Sequence, residues 1–223
     1  MFPDEWHKDI VKAHRRGQVA INNVCSSVGS LINATRIANI ISSVKKQKTN
    51  EQTIAKYLNL LMDSFLFRCA KRFDIKGNKY FEYPMKYYCA DIGLRNARLN
   101  WRQQEESHIM ENIIYNELIV RGNLVDVGIV PIREENADGK RVQSNCEIDF
   151  VVNRGMRKYY IQSCLNMEAE ENQQQELRPL LAVKDMFRKI VVTKTSARPW
   201  YDAHGILHLG IYDFLLDEKC LDT

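Results

Sequence analysis

The spacing of the apolar residues changes after Asp63, and this change constrains the fold more than any other feature of the chain. Before Asp63, apolar side chains recur every three or four residues, which is the period of an amphipathic helix. After it they nearly alternate, which is the period of a strand. The first predicted helix includes Val19–Val28 and ends near Gly29, and the second begins at a cap supplied by Asn33 or Thr35.

A third helix is predicted to begin at a capping box formed by Thr49 and Gln52. The segments FLFRCAKRF and NKYFEY follow it, and the glycine-containing turn IKGN separates them, so they predict a β-hairpin. Three helices followed by a hairpin is the order of a winged helix-turn-helix. In that motif the third helix is the recognition helix and the hairpin is the wing. The apolar face of the third helix carries Ile54, Tyr57, Leu58, Leu61 and Met62.

Polar residues of this region are candidates for contacts with nucleic acid. Lysine and arginine can neutralise phosphates, whereas asparagine, glutamine and threonine can contact base edges. They come from the turn before the third helix, from the exposed face of that helix, where Asn59 also lies, and from the wing. The candidate nucleic-acid-binding residues are Lys45, Lys46, Lys48, Asn50, Gln52, Thr53, Lys56, Lys71, Arg72, Lys76 and Lys79. The alternative is a winged helix that makes only protein contacts.

The charge of the chain is unevenly distributed. Residues 1–104 carry 18 Lys and Arg against 8 Asp and Glu, a charge of +10, and residues 105–223 carry 14 against 20, a charge of −6. Such asymmetry indicates two domains with different partners, of which the basic one is the candidate for nucleic acid. No apolar run approaches the roughly 20 residues that a membrane helix needs, and the charged start MFPDEWHKDI is unlike a signal peptide. We therefore expect a cytoplasmic protein without a membrane partner.

The second half of the chain predicts a helix, three strands, a helix and two strands, and the last strand, in GILHLGIYDFLLD, runs into a short terminal helix. This is a mixed α/β arrangement. In the segment EIDFVV, strict alternation places Glu147 and Asp149 on one face of a strand together with Val151. In the following strand, YYIQSC, alternation places Gln162 and Cys164 on one face.

These strands have the layout of a metal-dependent nuclease. In such a site, acidic residues on one strand and an acid-x-lysine on the next hold Mg²⁺ and stabilise charge near the phosphate. A helix glutamate, Glu111 or Glu117, could complete the metal shell. Gln162 and Cys164 stand where the acid and the lysine would be, so two chemical groups of the site are missing. The metal candidates are therefore Glu111 and Asp149, with Mg²⁺ as the cofactor if the site is active.

Other motifs are absent or weak. His204 and His208 are four residues apart with Asp202 nearby, but Gly205 and the segment GILHLGIY predict a strand there instead of a metal-binding helix. The six cysteines have no zinc-ribbon or thioredoxin spacing, which predicts buried free thiols. The sequence contains no phosphate loop of the G-x-x-x-x-G-K-[S/T] type, so we expect no ATP bound by this chain itself.

Seven segments in a fixed order carry a family resemblance: TIAKYLNLLMDSFLFRCAKRFDIKGNKYF, KYYCADIGLRNA, ENIIYNELIVRG, EIDFVV, YYIQSC, LRPLLAVKD and GILHLGIYDFLL. Together they resemble the C-terminal part of prokaryotic AAA+ ATPases that carry a C-terminal domain of unknown function. The resemblance covers roughly residues 8–217 and rests on the order of the segments. It implies a P-loop ATPase module, then a winged helix, then a restriction-endonuclease-like domain of the PD-(D/E)XK fold.

The resemblance also implies an organisation of this chain. Residues 1–17 would be a remnant of the ATPase module or a linker, residues 18–98 the winged helix, and residues 105–223 the nuclease-like domain. The fold class is then α+β, an N-terminal winged helix-turn-helix followed by an α/β restriction-endonuclease-like domain. The ATP-binding module would be missing from this chain, and ATP would act only through it. The module in cis, or further copies of the same protein, would be partners.

The expected function is that of a non-catalytic, DNA-binding and regulatory portion of an AAA+ ATPase. Relatives place an acid at position 149, an acid-x-lysine at 162 and 164, and a helix glutamate at 111, so this chain would hold a vestigial site. Its members are Glu111, Glu147, Asp149, Gln162 and Cys164. One alternative is a divergent Mg²⁺-dependent DNA nuclease whose lysine comes from Lys140 or Lys158. Another is a pure protein-interaction module.

Overall fold

The computed structural model describes residues 4–45, 49–102, 105–135, 141–167, 170–195 and 198–222. The candidates Lys46, Lys48 and Lys140 lie outside the described residues, and only the backbone of Lys45 is described. The chain divides into two compact units, of which the first comprises Met1–Cys69 and Tyr83–Gln104. The second comprises Ala70–Glu82 and Glu105–Thr223. The first unit carries 14 Lys and Arg against 6 Asp and Glu (+8), and the second 18 against 22 (−4).

The first unit follows the predicted order of elements, with one short strand added. Strand β1 pairs antiparallel with β3, and β3 lies beside β2. The first helix starts at Asp4, much earlier than the predicted span Val19–Val28. It ends at Ser26, two residues before the end of that span. The elements are α1 (Asp4–Ser26), β1 (Leu31–Ile32), α2 (Ala34–Lys45), α3 (Glu51–Asp63), the start of β2 (Phe67–Asp74), the end of β3 (Lys79–Cys89) and α4 (Ile92–Arg98).

Local signals fix the helices of this unit. Of the two predicted caps of α2, Asn33 is the one observed, because its side-chain oxygen accepts a hydrogen bond from the backbone N–H of Arg36 at 2.7 Å. The cap of α3 is Asn50 and not Thr49, since Asn50 accepts from the N–H of Thr53 at 2.8 Å. The buried apolar side chains of the first three helices form the core of the unit; they include Ala20, Val24, Ile37, Ile41, Ile54 and Leu58.

One buried arginine joins α4 to the end of α1. Arg95 is 2% exposed, and its Nε donates to the carbonyl oxygen of Cys25 at 3.0 Å. Its Nη1 donates to the side-chain oxygen of Asn96 at 2.9 Å. A buried guanidinium is stable only when its donors are satisfied, so these bonds make Arg95 a structural residue and remove its charge from any binding surface.

The predicted wing is not a free two-stranded hairpin. Residues Arg72–Asp74 of β2 pair in parallel with Val127–Ile129 of β4 (Leu124–Glu135). At the tip, Lys76 Nζ donates to the carbonyl oxygen of Pro131 at 2.7 Å. Tyr80 donates its hydroxyl proton to Asp126 at 3.0 Å. Ala70–Glu82 therefore belong to the second unit, which corrects the prediction that residues 18–98 form one domain.

The second unit is a mixed sheet with helices packed on it. Its strands lie in the order β2-β4-β5-β6-β7-β9-β8. Strands β4, β5 and β6 are antiparallel neighbours, whereas β6, β7 and β9 run parallel. The elements after β4 and the helix before it are α5 (Glu106–Val120), β5 (Arg141–Arg154), β6 (Arg157–Cys164), α6 (Glu170–Ala182), β7 (Arg188–Thr193), β8 (Trp200–Tyr201), β9 (Leu207–Gly210) and α7 (Ile211–Leu216).

The two long helices of this unit cover opposite faces of the sheet. On α5, Tyr115 packs against Phe150 with ring centroids 6.4 Å apart. On α6, Leu177 and Leu180 join a buried cluster that contains Val151. Because neighbouring residues of a strand point to opposite faces, Phe150 and Val151 assign one helix to each face. The predicted order of helices and strands in this half of the chain is confirmed, with the short strand β8 in addition.

A β-bulge interrupts β5 at Asp149. Gly128 pairs with Ile148 and Asp126 with Val151, so Asp149 and Phe150 together oppose the single residue between them on β4. A methyl group added at Gly128 would lie 3.1 Å from Ile148 Cβ and 2.8 Å from Val151 Cγ2. Ile148 and Val151 therefore point to the same face although they are three residues apart. The prediction of strict alternation from Glu147 through Asp149 to Val151 is wrong for this reason.

No helix among the described residues combines the length and the apolar character that crossing a membrane requires.

Candidate functional site

The helix α3 presents two stripes of opposite character. Ile54, Leu58 and Leu61 are buried. The same spacing recurs two positions earlier in the sequence, at the exposed residues Gln52, Lys56 and Asn59. Two helical positions correspond to a rotation of about 200°, so the stripes lie on opposite sides of the helix. Buried side chains attach α3 to its unit, and the exposed stripe leaves amide and ammonium groups in solvent.

The remaining predicted contact residues of α3 divide between structure and surface. Asn50 is exposed, but its side-chain oxygen is engaged in capping the helix. Thr53 is half-buried and donates its backbone N–H to that cap. The exposed stripe therefore consists of Gln52, Lys56 and Asn59, and we call it the α3 polar stripe. The Lys56 ammonium suits a phosphate, while the amides of the other two have the donors and acceptors that base edges require.

The basic residues of the hairpin are partly engaged inside the second unit. Lys76 donates to Pro131, as described above. The Arg72 guanidinium and the Lys79 ammonium lie over the ring of Phe81, at 5.1 and 5.8 Å from its centroid. Lys71 and Lys79 are exposed, whereas Arg72 is half-buried. These contacts stabilise the hairpin within the second unit.

In the second unit, the predicted nuclease-like residues meet where β5 and β6 separate. Pairing between these strands runs from Arg154 and Arg157 to Phe150 and Ile161 and is not continued beyond that pair. At the next position, side chains replace the ladder: Ser163 N–H donates to Asp149 Oδ2 at 2.9 Å, and Asp149 N–H donates to Gln162 Oε1 at 3.3 Å.

Glu176 of α6 completes this group, and sequence reasoning missed it. The Gln162 amide donates to Glu176 Oε2 at 2.7 Å, so Gln162 links β5 to α6. Asp149 and Gln162 are 8% and 7% exposed. The signal in the sequence was weak, because Glu176 lies among several glutamines and glutamates of one polar helix segment, and only the packing of α6 selects it. We call Asp149, Gln162 and Glu176 the β5–β6 polar cluster.

The thiol beside this cluster is chemically inert. Burial, reinforced by the negative charges of Glu176 and Asp149, raises the pKa of Cys164 to about 11. At neutral pH the thiol therefore stays protonated, and it supplies neither a thiolate ligand nor the positive charge that a lysine would. Its proton is donated to the carbonyl oxygen of Asn166 at 3.3 Å.

The residues present do not fit the magnesium centre that the family resemblance implies. Magnesium is bound through one or two carboxylates whose oxygens are free to coordinate it, and water molecules occupy most of its other positions. Here an oxygen of Asp149 accepts the Ser163 N–H, and both ends of the Gln162 amide are engaged. Among the described residues, no three His, Cys, Asp or Glu side chains are grouped so that they could hold a metal ion. The arrangement is that of a structural hydrogen-bond network.

The other residues predicted for the nuclease-like site lie on α5, β5 and β6. Glu111 is buried on α5, and Glu147 is half-buried beside the bulge. Glu117 accepts a hydrogen bond from Arg121 Nε at 2.8 Å. Lys158, the candidate replacement lysine, lies over the rings of Phe73 and Phe187. It is four strand positions from Gln162, about 13 Å along β6.

His204 and His208 lie in different surroundings. His204 lies in a turn and is exposed, whereas His208 lies in β9 and is 5% exposed. His208 Nε2 is 3.2 Å from Asp202 Oδ2, and the Trp200 ring is stacked on the imidazole at 4.3 Å. Burial raises the pKa of Asp202, but hydrogen bonds from the N–H groups of Ile206 and His204 and from His208 outweigh it. The net result is a lowered pKa.

Comparison with known proteins adds a family model and two similar chains. The model of a domain of unknown function, DUF8612, matches residues 7–105. An uncharacterized protein of Haemophilus influenzae is 35% identical over 211 residues, which cover 92% of this chain and 48% of that protein. The chain thus spans about half the length of this curated relative. The crystal structure of protein VC1899 from Vibrio cholerae covers 94% of this chain and 54% of that one, with 12% identity and a TM-score of 0.33.

Proposed function

We propose that this chain is a DNA-binding and regulatory portion of a larger protein, in which the first unit binds DNA and the second is a nuclease-like domain without catalytic activity. The observation that carries the proposal is the α3 polar stripe. Gln52, Lys56 and Asn59 are exposed on a helix that follows another helix and precedes strands, as the recognition helix does in a winged helix-turn-helix.

Charge supports the same assignment. The first unit has a net charge of +8, and a basic domain gains affinity for DNA by displacing counterions from phosphates. The second unit has a net charge of −4, which disfavours binding of DNA by that unit. With DNA as the proposed partner, the location that we propose is the cytoplasm of a prokaryotic cell.

The β5–β6 polar cluster supports the non-catalytic part of the proposal. Gln162 and Cys164 provide neither the second carboxylate nor the lysine, and the hydrogen bonds of Asp149 are internal. The resemblance to the C-terminal part of AAA+ ATPases suggests an ATPase module as the partner in cis, and the Haemophilus relative is about twice as long as this chain.

Binding and cleavage can be measured on the same samples of the full chain. Fluorescence anisotropy with a labelled DNA duplex is recorded at about 50 and about 200 mM salt, and the duplex is then incubated with Mg²⁺ or Mn²⁺. We expect binding that weakens steeply with salt and no cleavage. Lys56→Ala should weaken binding about fivefold, which corresponds to about 1 kcal/mol.

The matched control is Lys184→Ala, which removes an exposed lysine from the second unit and should leave binding unchanged. Cleavage that Asp149→Ala abolishes would overturn the proposal in favour of a metal-dependent nuclease. Absence of both binding and cleavage would overturn it in favour of a protein-interaction module.

A further inference from the structure

A small cavity lies at the carboxyl ends of two parallel strands of the second unit, away from the β5–β6 pairing. Its volume is about 170 Å³, and Thr193 at the end of β7 and Gly210 at the end of β9 line it. In α/β sheets, ligands bind preferentially outside the carboxyl ends of parallel strands. The position in the fold is therefore one where a ligand site is expected.

Two polar side chains of the cavity wall are buried and are held by contacts with their neighbours. His208 and Thr193 line it and are 5% and 6% exposed. Asp202 holds the His208 imidazole, and the Trp200 ring is stacked on it. The Thr193 hydroxyl donates to the carbonyl oxygen of Leu209 at 3.3 Å, which fixes this side chain as well. Two buried polar side chains are thus held in place at the cavity wall.

The loop after β7 is pressed against the end of β9. A methyl group added at Gly210 would lie 2.5 Å from the carbonyl oxygen of Thr195, so only glycine permits this approach. The approach brings the Thr195 hydroxyl to 2.8 Å from the Thr193 hydroxyl. Because Thr193 donates its only hydroxyl proton to Leu209, the Thr195 hydroxyl is the donor in this pair. A hydroxyl group can rotate, so Thr195 can exchange this hydrogen bond for one to a bound acceptor.

The charge at the cavity selects the class of ligand. Arg198 lines it, and Gln173 of α6 adds an amide. Among the described residues that line the cavity, none is a carboxylate. Arginine binds phosphate and carboxylate groups with two parallel hydrogen bonds. A cavity of about 150 Å³ accommodates a benzene-sized molecule, so this one suits a ligand of similar size.

We propose that this cavity binds a small anion that carries a phosphate or carboxylate group, with Arg198, Thr195 and Gln173 as its donors and His208 as a fixed wall. We call it the β7–β9 anion site. The residues that would bind the anion all belong to the second unit, and none of them is a member of the β5–β6 polar cluster. Its ligand would give the non-catalytic domain a regulatory input.

The fluorescence of Trp200 reports on the site directly. The chain has three tryptophans, Trp6, Trp101 and Trp200. The full chain is titrated with inorganic phosphate, glycerol 3-phosphate or malonate while tryptophan emission is recorded. We expect a saturable change with at least one of them that Trp200→Phe removes and Trp101→Phe retains. Tighter binding of glycerol 3-phosphate than of inorganic phosphate would identify a phosphorylated small molecule, whereas tighter binding of malonate would identify a carboxylate.

Arg198→Gln should weaken the tightest of these anions about tenfold or more, because it removes a charge-assisted bidentate contact. Arg102→Gln, which neutralises an exposed arginine of the first unit, is the matched control and should bind as the wild type does. Isothermal titration calorimetry on each variant provides the affinity without relying on fluorescence. The proposal is overturned if no anion changes the Trp200 emission at millimolar concentration, or if Arg198→Gln binds as tightly as the wild type.

Discussion

The α3 polar stripe and the β5–β6 polar cluster are both made of side chains that could bind a ligand, but they differ in what those side chains contact. Gln52, Lys56 and Asn59 are exposed. Asp149 and Gln162 are buried, and their polar groups bond to one another, to a backbone N–H and to Glu176. The amide of Gln162 and the amide of Gln52 are chemically identical and differ only in their surroundings.

A polar residue in a pattern that resembles a functional site can serve either structure or binding. Where its hydrogen bonds are internal, removing it costs stability, because the partner group is left buried and unsatisfied. Where it is exposed, removing it costs little stability and affects only binding. Measurements of stability and of affinity should therefore respond to opposite sets of substitutions in this chain.

The largest effect is expected on the buried side of α3. Ile54 is fully buried, so Ile54→Ala should lower the free energy of unfolding by about 3 kcal/mol through lost burial and the cavity left behind. Lys56→Ala, two residues away on the exposed stripe, should change it by less than about 0.5 kcal/mol. Urea unfolding followed by circular dichroism measures both, and equal losses would show that the two faces of α3 are assigned wrongly.

A somewhat smaller effect is expected at the β5–β6 polar cluster. Asp149→Ala removes the acceptor of the Ser163 N–H and should cost about 2 kcal/mol of unfolding free energy, without effect on DNA affinity. Asp149→Asn keeps a side-chain oxygen and should cost less. Asp63→Ala, at an exposed carboxylate, serves as the control for loss of charge. A stable Asp149→Ala variant with altered DNA binding would place this cluster among the functional surfaces instead.

The exposed lysines of the hairpin are expected to contribute less to DNA affinity than Lys56. Lys71 and Lys79 are exposed but belong to the second unit, so Lys71→Ala combined with Lys79→Ala should weaken DNA binding by less than about twofold, roughly 0.4 kcal/mol. Lys56→Ala alone should have the larger effect. Anisotropy titrations in one buffer compare the DNA affinities of these variants. A larger loss of affinity from the two hairpin substitutions than from Lys56→Ala would show that the hairpin contacts DNA as a wing.

The smallest expected change concerns pH. The pKa of Asp202 is lowered in the folded chain, because hydrogen bonds from two N–H groups and His208 outweigh the effect of burial. A lowered pKa stabilises the fold above the ordinary aspartate pKa of 3.8, and this contribution is lost as the pH falls below it. Asp202→Asn should therefore be less stable than the wild type at pH 6, and the difference should shrink toward pH 3. Thermal unfolding at several pH values tests this, and a difference that grows with acidity would contradict it.

Much of the local structure could be predicted from the sequence. The period of the apolar residues identified the helices of the first unit and the strands EIDFVV and YYIQSC, because burial of one face requires that period. The cap at Asn33 and the strand-to-helix transition at Gly210 follow from local chemistry as well. These features depend on residues within one turn or one strand of each other.

Features that depend on distant partners could not be predicted. The parallel pairing of β2 with β4 joins residues more than 50 positions apart, and nothing in the hairpin sequence marks it. The bulge at Asp149 arises where Gly128 lets Ile148 and Val151 approach the same place, so it requires knowledge of the neighbouring strand. For the same reason Glu176, the partner of Gln162, could not be selected from the glutamates and glutamines of α6.

The central claim is that Lys56 on the exposed stripe contacts a DNA phosphate, and the salt dependence of binding tests it most directly. Each phosphate contact contributes about 0.9 to the slope of log K against log salt for duplex DNA. The account predicts that the slope for Lys56→Ala is smaller than that of the wild type by about 0.9, while Lys184→Ala has the wild-type slope. Identical slopes for Lys56→Ala and the wild type would contradict it.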